Sequence, residues 1–356
     1  MDCKPIARDG FAKAQFWERF VKIWQYEKPA GIDSLRPAEA ADPKPGLGQV
    51  LIRIHAVSLN YKDLFVAKGM GGPNLPSPLI PLSDAAGEII EVGTGVTRVS
   101  KGHRVMPIVA QSWVGGPLTE EIGRSVLGSA LQGVLAEYIA VHESGVVAVP
   151  EHLSFEEAAA LPCAATTAWN SLAGEGSVMT GQTVLVQGTG GVSIFALQFA
   201  KALGARVIVT SSSDKKLERA RGLGAFACVN YKSNPEWDQE ALRLTGGRGV
   251  DHVIEVGGAG TLERSIRATR LGGTISLIGV LAGLEGSINP LPVLTKALRL
   301  QGISVGPRPI FEDMNRAITA HSLRPVIDRV FPFDEAREAL HYLESGAHFG
   351  KIVVRL

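Results

Sequence analysis

The feature that most constrains this fold is an apolar segment that runs straight into a glycine-rich turn and then into a helix. Residues 184–187 (VLVQ) lead into residues 188–191 (GTGG), a helical pattern follows at once, and a second apolar strand pattern comes at 206–210. In such a turn the backbone can approach a pyrophosphate closely, and the helix N-terminus offers it free N–H groups and partial positive charge. The turn therefore predicts a dinucleotide site in an α/β domain. Ser193 stands where a third glycine is usual, and its small side chain should be tolerated there.

Short apolar segments alternate with helical patterns through the second half of the sequence. Strands that are apolar throughout are typical of a sheet covered by helices on both faces. Their alternation with helices predicts a doubly wound parallel sheet. The strand patterns lie at 183–187, 206–210, 227–230, 250–256, 274–279 and 301–305, and the helical patterns at 191–203, 214–223, 235–245, 261–270 and 291–298.

The first part of the sequence is mostly β. Short strand patterns occur at 50–57, 88–92, 104–107, 136–141 and 146–149, with a long irregular loop at 111–133. A helix begins near residue 154, where Ser154 and Glu157 form a capping-box pattern. We predict a β-rich catalytic domain over 1–160 that is completed by residues 306–356, and a dinucleotide-binding domain over 161–305. The tail holds helical patterns at 311–321 and 334–344 and a strand pattern at 351–354.

Composition excludes several classes of function. The formal net charge is +1, so no strong field would attract nucleic acid or an anionic membrane. No apolar run is long enough to span a bilayer, and residues 11–26 are expected to be a docking arm that leads into the first strand. The three cysteines, Cys3, Cys163 and Cys228, have no CxxC spacing and are expected to be free thiols in a reducing compartment. We therefore expect a cytoplasmic protein with a small-molecule substrate.

The end of the second strand of the sheet distinguishes NAD from NADP. NAD-binding proteins usually place an acidic residue there for the ribose hydroxyls. Here Ser211, Ser212 and Ser213 follow the strand, with Lys216 close behind. Hydroxyls and a lysine can bind a 2′-phosphate, whereas Asp214 is better explained as part of a helix cap. The sequence favours NADPH, with NADH as the less favoured cofactor.

Several further segments resemble the medium-chain dehydrogenase/reductase superfamily, in particular its zinc-independent quinone oxidoreductase-like and alcohol dehydrogenase-like members. The segments lie at 56–63, 81–88, 91–96, 160–169 and 349–354, besides the glycine turn. The resemblance implies an α/β protein with a GroES-like β-rich catalytic domain and a Rossmann domain. It also implies a homodimer that pairs through the edge of the Rossmann sheet near residues 302–305.

The resemblance also implies a set of cofactor-binding positions. Thr167 matches a threonine near the nicotinamide, and Ser212, Lys216 and Tyr231 match positions that hold the adenosine phosphate and adenine. The full predicted cofactor set is Thr167, Gly188, Thr189, Gly190, Gly191, Val192, Ser211, Ser212, Lys216, Tyr231, Val256, Gly257, Gly279, Val280, Phe349 and Lys351.

The positions at which zinc-dependent relatives carry metal ligands hold Asn60, Ser83, Asp84 and Cys163. A catalytic zinc takes three protein ligands from Cys, His and carboxylates and keeps one open position. Only Cys163 is a strong candidate among these residues, and one thiolate does not make a site. The sequence therefore predicts no metal site and no zinc.

Without zinc, another group must stabilise the negative charge that develops on a carbonyl oxygen. Conjugated enones and quinones need less help because they delocalise this charge, so we expect hydride transfer to an activated C=C or a quinone. Asn60 and Tyr61 are the candidate catalytic residues, whereas Lys62 and Asp63 could be a surface pair or part of a relay. A zinc-free alcohol dehydrogenase or carbonyl reductase is the first alternative. An NADPH-binding sensor or structural protein with little turnover is the second.

Overall fold

A computed structural model describes residues 20–72, 75–175 and 177–356. They form two large β-sheets, and the first of these has seven strands. The order is β14-β15-β3-β4-β5-β7, and β6 pairs with the free part of β3. A separate antiparallel ribbon, β1-β2, lies beside this sheet. The strands are β1 Phe20–Tyr26, β2 Leu35–Ala41, β3 Gln49–Ser58, β4 Asp84–Val92, β5 Arg104–Pro107, β6 Tyr138–His142 and β7 Val146–Ala148.

The expected docking arm is only partly within the described residues. Residues 11–19 lie outside them, whereas Phe20–Tyr26 form strand β1 rather than an arm that precedes the first strand. Four of the seven side chains of this strand are buried, namely Val21, Ile23, Trp24 and Tyr26. No helix among the described ranges is long and apolar enough to cross a membrane.

Helices of the first half are short and lie at the edges of the β-rich part. Ser154 accepts a hydrogen bond from the Glu157 N–H, and the Glu157 carboxylate accepts one from the Ser154 N–H. This confirms the predicted capping box. After this helix the chain continues in π-helical turns at Leu161–Ala165 and Asn170–Gly174. This helical segment lies between the two sheets. The α-helices are α1 Tyr61–Ala67, α2 Glu120–Gly123, α3 Phe155–Ala159 and α4 Thr166–Trp169.

The second large sheet has six strands in the order β10-β9-β8-β11-β12-β13, and every pairing is parallel. This is the doubly wound sheet that the sequence predicts. Its strands are β8 Thr183–Gln187, β9 Arg206–Ser211, β10 Ala227–Asn230, β11 Val250–Glu255, β12 Thr269–Leu277 and β13 Arg299–Gly302. The helices between them are α5 Gly191–Ala202, α6 Asp214–Gly222, α7 Trp237–Leu244, α8 Leu262–Ala268 and α9 Leu291–Thr295.

β9 and β11 differ from the predicted bounds by one residue, and two other strands of this sheet differ by more. β12 begins at Thr269, well before the predicted residue 274, because Thr269 already pairs with Val250 ahead of an irregularity in the register. The glycines at 272 and 273 hide this early segment from a pattern based on apolar side chains. β13 ends at Gly302 instead of residue 305.

The tail after residue 306 returns to the first sheet. α10 Arg308–Ala320 packs on α4, and α11 Ala336–Glu344 packs under the strands that follow and precede it. β15 Lys351–Arg355 pairs antiparallel with β3 and parallel with β14 Ile327–Pro332, a strand that the sequence did not predict. The structure is thus a GroES-like β-rich part and a Rossmann-type parallel sheet.

Candidate functional site

The glycine turn joins β8 to α5 at the carboxyl edge of the parallel sheet. Gly188 has φ of +70°, a conformation that side-chain-bearing residues rarely adopt, so glycine is needed here. Gly190 precedes the first residue of α5 and has no side-chain cap, which leaves the helix N–H groups free for a ligand. The Ser193 hydroxyl donates a 2.6 Å hydrogen bond to the carbonyl of Gln187. Ser193 therefore satisfies the last carbonyl of β8, which explains a serine at this position.

The loops that follow β11 and β12 form the neighbouring wall of the same cleft. The Ala282 N–H donates to the Gly257 carbonyl at 2.7 Å, and the Leu281 N–H donates to the Val256 carbonyl at 3.1 Å. These bonds hold the two loops together beyond the strand ends, where ligands of open α/β sheets bind. The predicted residues Val256, Gly257, Gly279 and Val280 all lie in these loops.

A buried carboxylate that the sequence analysis did not predict stabilises this wall of the cleft. Glu255 is fully buried, and its oxygens accept hydrogen bonds from the Gly257 N–H at 2.8 Å and from the Thr261 hydroxyl at 2.6 Å. It also accepts from Gln187 Nε2 at 2.7 Å and from the Ser265 hydroxyl. The available signal was a polar residue that directly follows an apolar run at the end of each of two strands, Gln187 in β8 and Glu255 in β11.

The end of β9 presents hydroxyl groups and a lysine. Ser211 is buried, and Ser213 caps α6 by accepting from the Lys216 N–H. Lys216 Nζ donates to the carbonyl of Gly346 at 2.7 Å, and burial lowers the pKa of this lysine. Asp214, expected to be part of the helix cap, is the first residue of α6, after the cap Ser213, and it accepts from Asn230 Nδ2 at 2.8 Å. Tyr231 is exposed beside this edge, and its N–H donates to the Ser211 carbonyl.

The segment before β15 crosses directly over the glycine turn. The Gly350 N–H donates to the Thr189 carbonyl at 2.9 Å, so the tail contacts the predicted pyrophosphate site. A Cβ on Gly191 would lie 2.7 Å from Cδ of Lys351, which shows how closely the lysine stem passes. Phe349 is buried under the Arg219 guanidinium, so its ring is not available to a bound ligand.

The side-chain nitrogen of Lys351 lies at the centre of the candidate site. Nζ donates to the Leu59 carbonyl at 2.6 Å and to Asn60 Oδ1 at 2.7 Å, and it lies 3.9 Å from Asp84 Oδ2. The side chain is almost fully buried. Burial lowers the pKa of Lys351, and the carboxylate of Asp84 partly opposes this effect. Lys351 thus lies among the residues at the family's zinc-ligand positions.

The side chains at these positions do not fit a zinc ion. Asp84 accepts from the Cys163 N–H at 3.0 Å and from the Ser83 hydroxyl at 2.7 Å, and the Asn60 oxygen faces the Lys351 ammonium. Burial, reinforced by Asp84, raises the pKa of Cys163 to about 12, so its thiol is neutral. A resident ammonium would repel a divalent cation. Within the described ranges, no three His, Cys, Asp or Glu side chains cluster as metal ligands would.

The two predicted catalytic residues, Asn60 and Tyr61, lie on either side of the N-terminal boundary of α1. Asn60 caps this helix, because the Asp63 carboxylate accepts from the Asn60 N–H at 2.7 Å. Tyr61 is the first residue of the helix rather than a strand-end residue; it is 44% exposed and packs against Phe65. The structure therefore brings Asn60, but not Tyr61, to Lys351. The Thr167 hydroxyl donates to the Cys163 carbonyl at 2.7 Å on the opposite side.

Lys62 and Asp63 are not a surface pair. Asp63 is 2% exposed, and its Oδ1 lies 3.5 Å from Lys62 Nζ, which is itself buried. A mainly apolar cavity of about 390 Å³ begins at the stem of Lys62 and reaches a loop of the Rossmann part. Ser129, from the long loop at 111–133, contributes to it. The full lining is Lys62, Phe65, Val66, Met70, Gly71, Ser129 and Leu284.

Comparisons with known proteins decide the family. The alcohol dehydrogenase GroES-like domain matches residues 46–151, and the zinc-binding dehydrogenase domain matches residues 191–320. A zinc-type alcohol dehydrogenase-like protein of Schizosaccharomyces pombe is 44% identical over 339 residues, which is 93% of this chain and 98% of the relative. The chain belongs to the medium-chain dehydrogenase/reductase superfamily.

Two further members of this superfamily bear on activity. A crystal structure of a Sinorhizobium meliloti protein assigned as an alcohol dehydrogenase has a TM-score of 0.90 and 43% identity, covering 96% of this chain and 100% of that one. The NADPH-dependent alkenal/one oxidoreductase of Arabidopsis thaliana chloroplasts is 30% identical over 94% of this chain and 79% of its own length. This medium-chain dehydrogenase/reductase is therefore an NAD(P)-dependent oxidoreductase.

Proposed function

We propose that this enzyme is a zinc-independent, NADPH-dependent reductase of activated C=C bonds or quinones. The observation that carries the proposal is the Lys351 ammonium, which donates to Asn60 at 2.7 Å and lies 3.9 Å from Asp84. Both partners occupy positions that hold zinc ligands in zinc-dependent relatives. A buried amine at this place supplies hydrogen-bond donors to the site in a different way from a metal.

The chain's own residues account for how the cofactor would be held. The turn at 188–191 and the free N-terminus of α5 would bind the pyrophosphate, and the loops after β11 and β12 would enclose the nicotinamide side. When bound, the reduced cofactor supplies a hydride from the nicotinamide ring. Glu255 keeps the wall of the cleft in place through its bonds to Gly257 and Thr261.

The preference for NADPH rests on the end of β9. Ser211, Ser212 and Lys216 supply hydroxyl groups and one cation there, whereas Asp214 is engaged by Asn230. Among the described residues, the hydrogen-bond partner of Lys216 Nζ is a neutral carbonyl, that of Gly346. A 2′-phosphate would offer this ammonium a charge-assisted hydrogen bond, which is stronger than its bond to a carbonyl.

The preference for conjugated substrates follows from the charge that hydride transfer creates. An isolated carbonyl places the full negative charge on one oxygen, whereas an enone or quinone spreads it over the conjugated system. The mainly apolar cavity lined by Phe65, Val66 and Leu284 suits a substrate of this kind. The Arabidopsis relative named as an alkenal/one oxidoreductase adds support.

A zinc-free alcohol dehydrogenase or carbonyl reductase is the second candidate. Two similar proteins, from Schizosaccharomyces pombe and Sinorhizobium meliloti, carry alcohol dehydrogenase descriptions. In that reaction the buried ammonium groups would stabilise an alkoxide rather than a delocalised anion.

One assay separates the candidates. The purified protein is incubated with NADPH or NADH and with separate enones, quinones, aldehydes and, with the oxidised cofactors, alcohols, while absorbance of the reduced nicotinamide is followed. We expect turnover of enones or quinones with NADPH. Turnover of aldehydes and alcohols alone would favour the second candidate, and tight NADPH binding without turnover would favour a sensor. Metal analysis of the active protein should find far less than one zinc per chain; activity that requires stoichiometric zinc would contradict the proposal.

We also propose that the enzyme is a homodimer paired along β13. This strand is the last of the Rossmann sheet, so its outer backbone groups lack a strand partner within the described chain. A second copy related by a two-fold axis could complete the edge. Large apolar side chains lie exposed in the segment that precedes it, namely Leu281, Leu284, Ile288, Leu291 and Leu294.

A further inference from the structure

The most unusual side chain near the cavity is Lys62. Lys62 lines this cavity, and about a third of its side chain is exposed. Its ammonium nitrogen is buried and has no hydrogen-bond acceptor among the described residues. The nearest carboxylate oxygen, Asp63 Oδ1, lies 3.5 Å away. A buried ammonium with free donors is costly unless a ligand or partner uses them.

The ion pair with Asp63 is not by itself a sufficient reason for a lysine at this position. Lys62 is the second residue of α1, where a cation interacts unfavourably with the helix dipole. Burial would lower the pKa of Lys62, but the opposing charge of Asp63 and smaller contributions from its surroundings outweigh burial and raise it. The lysine therefore keeps its charge. Replacing a buried ion pair with apolar side chains is often neutral or stabilising, so stability does not account for the pair.

A second free donor lies two residues earlier. Lys351 can only donate hydrogen bonds, so the oxygen of the Asn60 amide must face it at 2.7 Å. The amide nitrogen of Asn60 consequently points elsewhere, and it also lacks a partner within the described ranges. The loop at the start of α1 thus presents two buried donors without acceptors.

We propose that Lys62 binds the oxygen of the substrate's carbonyl or quinone group at the inner end of the cavity. This inference rests on the proposed function and adds the residue that recognises the substrate. The apolar side chains of Phe65, Val66 and Leu284 would contact the rest of the molecule. The ligand expected in this cavity is an apolar or aromatic molecule that carries one hydrogen-bond-accepting oxygen.

The role of Lys62 follows from the electron flow of an enone reduction. Hydride adds to the β-carbon, the electron pair of the C=C bond moves toward oxygen, and the resulting enolate takes a proton from solvent at its α-carbon. The cofactor is oxidised and the enone becomes a saturated ketone. Lys62 holds the oxygen throughout as a charged donor, and the low-polarity surroundings strengthen this interaction as negative charge grows.

The test variant is Lys62→Met, which keeps the apolar stem and removes the charge. We expect kcat/KM for an enone or quinone to fall by about 100-fold or more, as for loss of one donor to a developing oxyanion. Binding of NADPH, measured by fluorescence titration, should be unchanged. Lys68→Met is the matched control, because Lys68 follows the same helix and forms an exposed pair with Glu344.

Lys62→Met leaves the buried Asp63 carboxylate without its cation, which destabilises the fold. A double variant that also removes this carboxylate is therefore included. Lys62→Met with Asp63→Asn removes both charges and keeps an oxygen that can accept from the Asn60 N–H. If the single variant unfolds, the double variant is measured in its place. We expect the same loss of kcat/KM in the double variant.

A spectroscopic probe tests Lys62 independently of turnover. 4-Nitrophenol is planar, carries one oxygen that can ionise, and its phenolate absorbs visibly. Below the pH at which it ionises in solution, the wild-type protein should bind it with an increased phenolate band, and the Lys62→Met protein should not. Absence of the band in the wild type, or its persistence with unchanged kcat/KM in the variant, would overturn the proposal. A wild type that shows the band but reduces no enone or quinone would contradict the proposed function alone.

Discussion

Lys216 is the side chain on which the proposed choice of cofactor depends. Its ammonium lies at the carboxyl end of β9 and bonds to a backbone carbonyl of the tail, that of Gly346. The neighbouring Lys215 is exposed on the same helix, and its side chain forms no hydrogen bond within the described ranges. The two lysines therefore form a natural pair of test and control positions.

We predict that Lys216→Ala weakens binding of NADPH about 10- to 100-fold, as expected for one hydrogen bond to a charged group. Binding of NADH should change little, because NADH lacks the 2′-phosphate. Fluorescence titration of both cofactors measures the effect, with Lys215→Ala as the control. An equal loss for both cofactors would contradict a role in phosphate binding.

The sequence could identify the glycine turn but not the residues that gather around it. Gly188–Gly191 and Ser211–Lys216 are each contiguous in the sequence, so a local pattern is enough to predict them as cofactor-binding segments. The contact between Lys351 and Asn60 joins distant parts of the chain, and no local pattern encodes it. Lys62 and Asp63 were ambiguous for the same reason, since their burial depends on which elements pack over α1. Glu255 was missed because a lone carboxylate at a strand end has no periodicity.

At the scale of elements, β11 and β12 are joined by a buried histidine. His252 is 2% exposed, and its Nε2 lies 2.9 Å from the hydroxyl of Ser276 on the adjacent strand. Burial lowers the pKa of His252 to about 4, and the nearby Asp251 only partly opposes this. The ring is therefore neutral in the folded enzyme near neutral pH.

This lowered pKa makes stability depend on pH. Below its ordinary pKa the unfolded chain binds a proton at His252 that the folded chain does not, so stability falls as the pH decreases from about 6.5 toward 4. Between pH 7.5 and 5 we predict that His252 alone costs about 2 kcal/mol. Urea unfolding at both pH values, for the wild type and for His252→Asn, measures this. The variant should lose about 2 kcal/mol less than the wild type; an identical loss in both proteins would contradict the assignment.

Element types were predictable where periodicity was strong. The six strands of the parallel sheet and the helices between them all exist, because their apolar patterns are continuous. α1 was missed: residues 56–63 include the end of a strand and an asparagine cap, and the helix that follows is only seven residues long. β14 was missed because only Phe331 among its side chains is fully buried, which leaves little hydrophobic pattern.

At the scale of the whole molecule, one surface is more apolar than a monomer requires. None of the residues of α9 is buried, and Leu291 and Leu294 are exposed there, next to the edge strand β13. Contiguous apolar patches of this kind are typical of interaction sites. Pairing of two copies would cover the patch and extend the sheet at the same time.

We therefore predict that Leu294→Glu converts a dimer into a monomer, because dimerisation would bury an unpaired carboxylate. Light scattering coupled to size exclusion gives the molar mass directly. Leu47→Glu is the control, since Leu47 is equally exposed but lies in the turn before β3, in the other part of the molecule. A wild-type protein that is monomeric at assay concentrations would contradict the dimer proposal.

The pairing of β15 with β3 has a consequence for how the enzyme is made. Val353 lies opposite Ser58, so the whole Rossmann domain is synthesised between two adjacent strands of one sheet. While the ribosome is still producing that domain, β3 lacks one of its neighbours, and the exposed strand could pair wrongly with other chains. The inserted domain, whose strands pair with near neighbours in sequence, can fold first. We expect the β-rich part to acquire its native structure last and more slowly, because its contacts are long-range.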